Sequence, residues 1–267
     1  MSGFRRWHHN VSLISIVFVA AFALPGCSSP SGTSAPNEIV TASITLPGQD
    51  VPIKAYEARP KTGGPLPALI VIHENRGLTE HIKDVTRRFA GQGYVALAPD
   101  LLSRVGGREK FATDDDAVAG INTLSSDGVQ QDLQSTFDYL KSQPYVKTDH
   151  IGVIGYCWGG GNSLLMATKV RELRTAVVYY GLNPSNLNDV ANITGPVLGI
   201  YGEEDPRITV NVPQLAEAMK KYNKTFEYKV YPGTFHAFFN DTGTRYNAEA
   251  AADAWKITLD FLQKNLQ

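Results

Sequence analysis

From residue 39 onward, apolar and polar positions alternate with two different periods, and each switch of period marks a new element. Residues 39–45 and 51–58 alternate apolar with polar around Pro47-Gly48-Gln49-Asp50, the pattern of an antiparallel hairpin at a sheet edge. Residues 68–72, Ala-Leu-Ile-Val-Ile, are continuously apolar, as in a strand covered on both faces. Residues 80–90 carry apolar side chains at helical spacing and stop at Gly91. The alternation then repeats. Strands are predicted at 94–98, 151–154, 175–180, 197–201 and 226–231, and helices at 127–142, 162–171, 212–222 and 248–266. Repeated strand–helix alternation predicts an α/β domain: a mostly parallel sheet with helices on both faces.

The first 38 residues follow neither period. Arg5 and Arg6 precede an apolar run at 11–24, and Pro25-Gly26 lead into Cys27. A basic stretch, a short apolar stretch and a small-residue site read as an export signal, too short for a comfortable membrane span. Leu24-Pro25-Gly26-Cys27 resembles the lipobox of bacterial lipoproteins, where the signal is cut before a Cys that becomes acylated; Pro25 departs from the usual small residue. Residues 28–37 are rich in Ser, Pro, Gly and Thr, a composition that buries no core. The expected organisation is a signal peptide at 1–26, a lipidated Cys27 with a flexible tether at 27–38, and one domain at 39–267. A retained membrane anchor is the alternative for the leader. Either way the domain is exported to the cell envelope, on its periplasmic or extracellular face, with the membrane as partner through the N-terminus.

Composition narrows the function classes. The chain has 267 residues, 43% of them hydrophobic, which supplies ample core for one α/β domain. A net charge of -1 gives no electrostatic case for nucleic acid. With only Cys27 and Cys157 there is no disulfide framework, so each cysteine needs its own explanation.

Cys157 sits in Gly155-Tyr156-Cys157-Trp158-Gly159-Gly160-Gly161, between a strand pattern and a helix pattern. Strand, tight turn and helix is the context in which Gly-x-nucleophile-x-Gly lifts a side chain above the sheet, and the glycines leave room for so sharp a turn. The first helix N–H groups then face the reacting atom and favour a thiolate and an oxyanion. A small buried apolar Cys is the plainer alternative.

Function in open α/β sheets sits at the carboxyl ends of the strands, and those ends carry the remaining candidates. They are His73-Glu74-Asn75-Arg76-Gly77, Pro99-Asp100, the Cys157 turn, Gly202-Glu203-Glu204-Asp205-Pro206 and Pro232-Gly233-Thr234-Phe235-His236. Cys157, Asp205 and His236 follow one another in the triad order of α/β-hydrolases. His236 is expected to take the thiol proton and Asp205 to orient the imidazole. His73 competes with His236, and Glu203 and Glu204 compete with Asp205. Asp100 is read as a cap or turn residue.

These motifs together, with Ala237-Phe238 after His236, resemble the dienelactone hydrolase family over roughly residues 40–266. The resemblance implies the α/β-hydrolase fold and a carboxylic ester hydrolase that opens esters or lactones through a thioester. It implies a catalytic set of Cys157, Asp205, His236 and Glu74, with Glu74 helping to activate the thiol. It also implies an oxyanion hole from the backbone N–H groups of Asn75 and Trp158. Arg104 is placed like one of two arginines that hold a substrate carboxylate. Asn240 stands where the second would be, with Arg76 or Arg245 as substitutes. A small-molecule ester or lactone is the expected partner, with no cofactor and no metal. The contrasting reading is a non-catalytic binding lipoprotein on a hydrolase fold.

Overall fold

The computed structural model describes residues 38–267, and the expected signal peptide, Cys27 and most of the tether lie outside them. The hairpin predicted at the edge is β1 (Ile39–Leu46) and β2 (Ile53–Pro60), antiparallel, with Ile39 opposite Pro60 and Leu46 opposite Ile53. β3 (Leu66–Ile72) and β4 (Val95–Pro99) follow, then β5 (Val146–Tyr156), β6 (Thr175–Tyr179), β7 (Val197–Gly202) and β8 (Phe226–Tyr231). β3 to β8 run parallel, and β2 joins them antiparallel along β4. The sheet order is β1-β2-β4-β3-β5-β6-β7-β8.

β3 shows why its run is apolar on every residue. Ala68, Ile70 and Ile72 enter one core with Leu133 and Phe137 of α3 (Ser126–Ser142) and Leu164 of α4 (Trp158–Lys169). Leu215 of α6 (Val212–Lys221) joins the same core. Leu69 and Val71 enter the opposite core with Ile82 and Phe89 of α1 (Glu80–Gly91) and Ala254 and Phe261 of α7 (Ala248–Leu266). Each fully buried aliphatic side chain contributes at most about 1.5–3 kcal/mol.

The sequence pattern missed α2 (Asp114–Asn122) and the one-turn α5 (Pro206–Thr209). α2 begins with a local signal: Thr113 Oγ1 accepts from Asp116 N–H, and three aspartates occupy its first turn. The helix predicted at 162–171 starts four residues earlier, at Trp158, because its first turn is the glycine-rich elbow itself.

From β3 the chain passes first to β4 on one side and later to β5 on the other. The carboxyl ends of β3 and β5 therefore flank the point where strand order reverses, with Ile72 opposite Gly155. A crevice forms at such a point in open α/β sheets.

Candidate active site

Cys157 stands at φ 55°, the start of α4, directly after β5. A non-glycine residue there is strained by about 1–3 kcal/mol, which only rigid surroundings sustain. Those surroundings exist: Cys157 N–H donates to Tyr179 O (3.0 Å), and its own carbonyl accepts from Gly161 N–H (3.2 Å). A Cβ on Gly155 would lie 1.9 Å from Gly159 O, and one on Gly159 would lie 2.4 Å from His73 O. Only glycines let strand and helix approach this closely.

Burial pushes the Cys157 thiol up to about 11, and the Glu74 charge adds to the rise. The backbone N–H groups of Trp158 and Asn75 pull the other way by pointing at the sulfur. Both amides assigned to the oxyanion hole thus converge on the Cys157 sulfur. Among the described residues, no hydrogen bond joins the thiol to His236.

His236 Nδ1 pairs with Asp205 Oδ2, and both side chains are largely shielded from water. Burial lowers the His236 pKa, Asp205 opposes this, and Arg207 and Arg245 add to the lowering. Two of the competitors, Glu203 and His73, are engaged elsewhere. Glu203 Oε2 accepts from Gly233 N–H (3.0 Å), leaving Asp205 to orient the histidine. His73 Nε2 accepts from Leu101 N–H (3.1 Å), so its proton is on Nδ1, which donates to Glu74 O (2.6 Å). Both of its nitrogens are used, and it is fully buried as a neutral strut between loops. Asp100 caps the turn after β4, accepting from Leu102 and Arg108 N–H, as the pattern suggested.

Glu74, Asn75, Cys157, Trp158 and His236 all line one cavity of about 1050 Å³, together with Tyr180. Glu74 is buried, which raises its pKa. Its Oε2 accepts from Asn240 Nδ2 (2.7 Å), while Oε1 has no partner among the described residues. Asn240 Oδ1 accepts from Thr242 N–H (3.0 Å) and Thr242 Oγ1 (2.7 Å), which fixes the amide with its nitrogen toward Glu74. Asn240 therefore grips Glu74, a contact no sequence pattern announced.

Arg104 does not reach this cavity. Its guanidinium is spent on Asp132 (2.8 and 3.0 Å), Asp50 (3.1 Å) and Gln131 (3.3 Å). Asp132 is fully buried, so Arg104 compensates an interior charge of α3, which corrects the expectation that it holds substrate. The cavity's cations are instead Arg76, Lys169, Arg207 and Arg245, set against Asp115, Asp127 and Asp189. Arg207 and α2 were not foreseen, because the short helices that carry them have no long periodic pattern. Strain also clusters here: besides Cys157, Tyr180 (φ 38°) and Ala237 (φ 65°) are non-glycine residues at positive φ lining the cavity.

Comparison with known proteins agrees with this geometry. The family model of the dienelactone hydrolase family matches residues 53–266. A Saccharolobus solfataricus protein that carries the name carboxymethylenebutenolidase is 37% identical over 244 residues, spanning 79% of this chain and 94% of its own. A protein of the same name from Methylorubrum extorquens is 34% identical over 267 residues, 95% of this chain and 92% of its own. A crystal structure bearing the name dienelactone hydrolase, from Klebsiella pneumoniae, superposes with a TM-score of 0.79 at 31% identity, covering 85% of this chain and 99% of that one. With the glycine-flanked turn at Cys157, the strand-end residues and these relatives in agreement, the chain belongs to the dienelactone hydrolase family and is a hydrolase of the α/β-hydrolase fold.

Proposed function

We propose that this protein hydrolyses carboxylic esters or lactones with Cys157 as nucleophile, His236 as general base and Asp205 as the residue that orients it. The observation that carries the reading is one cavity holding the strained Cys157, the two amides aimed at its sulfur, and the Asp205-bound imidazole. The thiol proton passes to Glu74 or His236, and the thiolate attacks the acyl carbon. An S–C bond forms, the C–O bond to the leaving group breaks, the leaving oxygen takes the proton from Glu74 or His236, and a thioester remains. The Asn75 and Trp158 N–H groups hold the oxyanion on the way. His236 then takes a proton from water, hydroxide attacks the thioester, and the released thiolate is reprotonated by the imidazolium.

The test is rapid mixing with 4-nitrophenyl acetate, coupled to intact-mass detection. A burst of nitrophenolate stoichiometric with protein, and an acetyl adduct on Cys157, are expected. A binding protein on the same fold would give neither. Near-normal turnover by Cys157→Ala would end the covalent reading.

We propose further that the domain is exported and tethered through an acylated Cys27. Support comes from the leader pattern at 1–26 and its Leu-Pro-Gly-Cys ending. Two or more acyl chains hold a protein at a bilayer far better than one. Intact-mass analysis of the native protein should find a lipid-modified Cys27 as the first residue; a mature chain starting elsewhere and unmodified would refute it.

A further inference from the structure

Among the described residues no hydrogen bond joins Cys157 to His236, yet Tyr180 is in contact with the frame of both. β6 alternates between the two cores of the domain. Val178 enters the core of α3 and α4, while Val177 and Tyr179 enter the core of α1 and α7. Continued alternation would send Tyr180 the way of Val178. Instead Tyr180 takes φ 38° and joins Tyr179 in the core of α1 and α7. A bulky residue keeps so uncommon a backbone conformation only where its surroundings impose it.

The backbone on both sides of Tyr180 is clamped. Its N–H donates to Ile200 O of β7 (2.7 Å), and the carbonyl of the same peptide group, Tyr179 O, accepts from Cys157 N–H (3.0 Å). A Cβ on Gly160 would lie 2.4 Å from Tyr179 O, and one on Gly181 would lie 2.3 Å from the carbonyl carbon of Gly160. The chain around Tyr180 therefore lies directly against the first turn of α4. Its side chain reaches the other partner. The ring centroids of Tyr180 and His236 are 5.0 Å apart at an angle of 57°, and Phe238 meets Tyr180 edge-on at 5.8 Å. Tyr180 is fully buried, and its hydroxyl has no partner among the described residues. A buried hydroxyl without a partner weakens a fold. The ring, and not the hydroxyl, accounts for a tyrosine-sized side chain at this place.

We propose that Tyr180 is a positioning residue: its backbone holds the Cys157 turn while its ring backs the His236 imidazole, so that it sets the spacing of nucleophile and base. The inference rests on the covalent reading above. Cys157 stands at the start of α4, and His236 stands on the loop after β8, two strands away from β6. The Tyr180 peptide group and ring span that gap. Spacing matters to the reaction, because a displacement of about 1 Å can cost about 100-fold in rate. The ring also keeps water from one side of the imidazole and so contributes to the burial that lowers the His236 pKa. Asp205 opposes that lowering, and Arg207 and Arg245 reinforce it. Glu74 and Cys157 are the other titratable groups that line the cavity beside His236 and Tyr180 on this side.

The experiment measures the burst of 4-nitrophenyl acetate cleavage by the full chain, by stopped flow and across pH. Tyr180→Phe keeps the ring and should keep the burst rate within about threefold of wild type. Tyr180→Leu loses the ring and should slow the burst about tenfold or more, with its half-saturating substrate concentration little changed. Water admitted beside the imidazole should raise the His236 pKa. The acid limb of the burst rate should then move up by about half a pH unit or more in Tyr180→Leu and stay in place in Tyr180→Phe. A Tyr180→Phe burst slowed by more than about threefold overturns the inference, because the hydroxyl would then be the working part. A Tyr180→Leu burst at the wild-type rate overturns it too. So does a slower Tyr180→Leu burst with an unmoved acid limb, the mark of a general loss of structure. If Tyr180→Leu does not fold, Tyr180→Phe decides alone: an unchanged burst and acid limb uphold the role of the ring, and a slower burst ends it. A wild-type enzyme without a burst takes down both this inference and the covalent reading, whereas a wild-type burst with the negative variant results removes only this inference.

Discussion

The cavity of Cys157 and a second cavity of about 810 Å³ share Glu74, and each is lined by a histidine that pairs with an aspartate. His236, held by Asp205, lines the cavity of Cys157, and His81, held by Asp241, lines the second cavity. In both pairs the aspartate takes Nδ1, and burial lowers the histidine pKa while the aspartate opposes it. Asp205 is buried and Asp241 exposed, and only the imidazole of His236 shares a cavity with the strained Cys157 and two converging amides. A His–Asp pair is thus a building block, and its surroundings decide whether it serves bond-making.

The largest break in this comparison should come from the cavity of Cys157. His236→Ala and Cys157→Ala should each lower kcat/KM by about 10³-fold or more, while His81→Ala should leave the first turnover nearly intact. Single-turnover kinetics of the three variants would check it; equal losses would erase the distinction between the cavities.

Next comes the aspartate contrast. Asp205→Asn should cost about two to three orders of magnitude in kcat/KM, because Glu203 is committed to Gly233 and cannot substitute. Asp241→Asn should reduce first-turnover acylation only a few fold, about 1 kcal/mol or less. A Glu203→Gln, Asp205→Asn double variant no worse than Asp205→Asn would confirm that Glu203 is not a hidden orienter.

Arg104→Ala is expected to act on stability alone. It strands the buried carboxylate of Asp132 and should destabilise the fold by about 2 kcal/mol, lowering Tm by about 4–8 °C. The kcat/KM ratio for anionic over neutral esters should not move, and a shift in that ratio would restore Arg104 to the substrate site.

The smallest effects are those of pH. His73, His81 and His236 all titrate below their ordinary value because burial disfavours the imidazolium. Between their folded pKa values and about 6.5 the unfolded chain binds more protons, so stability rises with pH there and is lost as pH falls below about 6.5. Glu74 has the opposite sign: its raised pKa means the folded state binds more protons above about 4.5, and stability falls as pH rises through that window. Glu74→Gln should therefore raise Tm near pH 7.5 and do little near pH 4. Thermal melts at the two pH values distinguish this from a uniform packing effect.

The sequence alone determined the elements that long periodic runs encode, since burial on both sheet faces or on one helix stripe leaves a repeating trace. It also placed Cys157, Glu74, Asp205 and His236, because a parallel sheet brings successive strand ends to one rim whatever the loop details. What needed the tertiary structure depends on where loops fold back. The turn after β4 (Leu101–Val105) carries Arg104 onto Asp132 of α3, away from the cavity its sequence position suggested. Glu203 and Asp205 lie two residues apart, and only the meeting of the loops after β7 and β8 shows which one finds His236. Asn240 meets Glu74 across 166 positions of chain, and His81 meets Asp241 across 160. Such contacts leave no periodicity, because neither partner repeats; they exist only once the sheet has brought the two loops together.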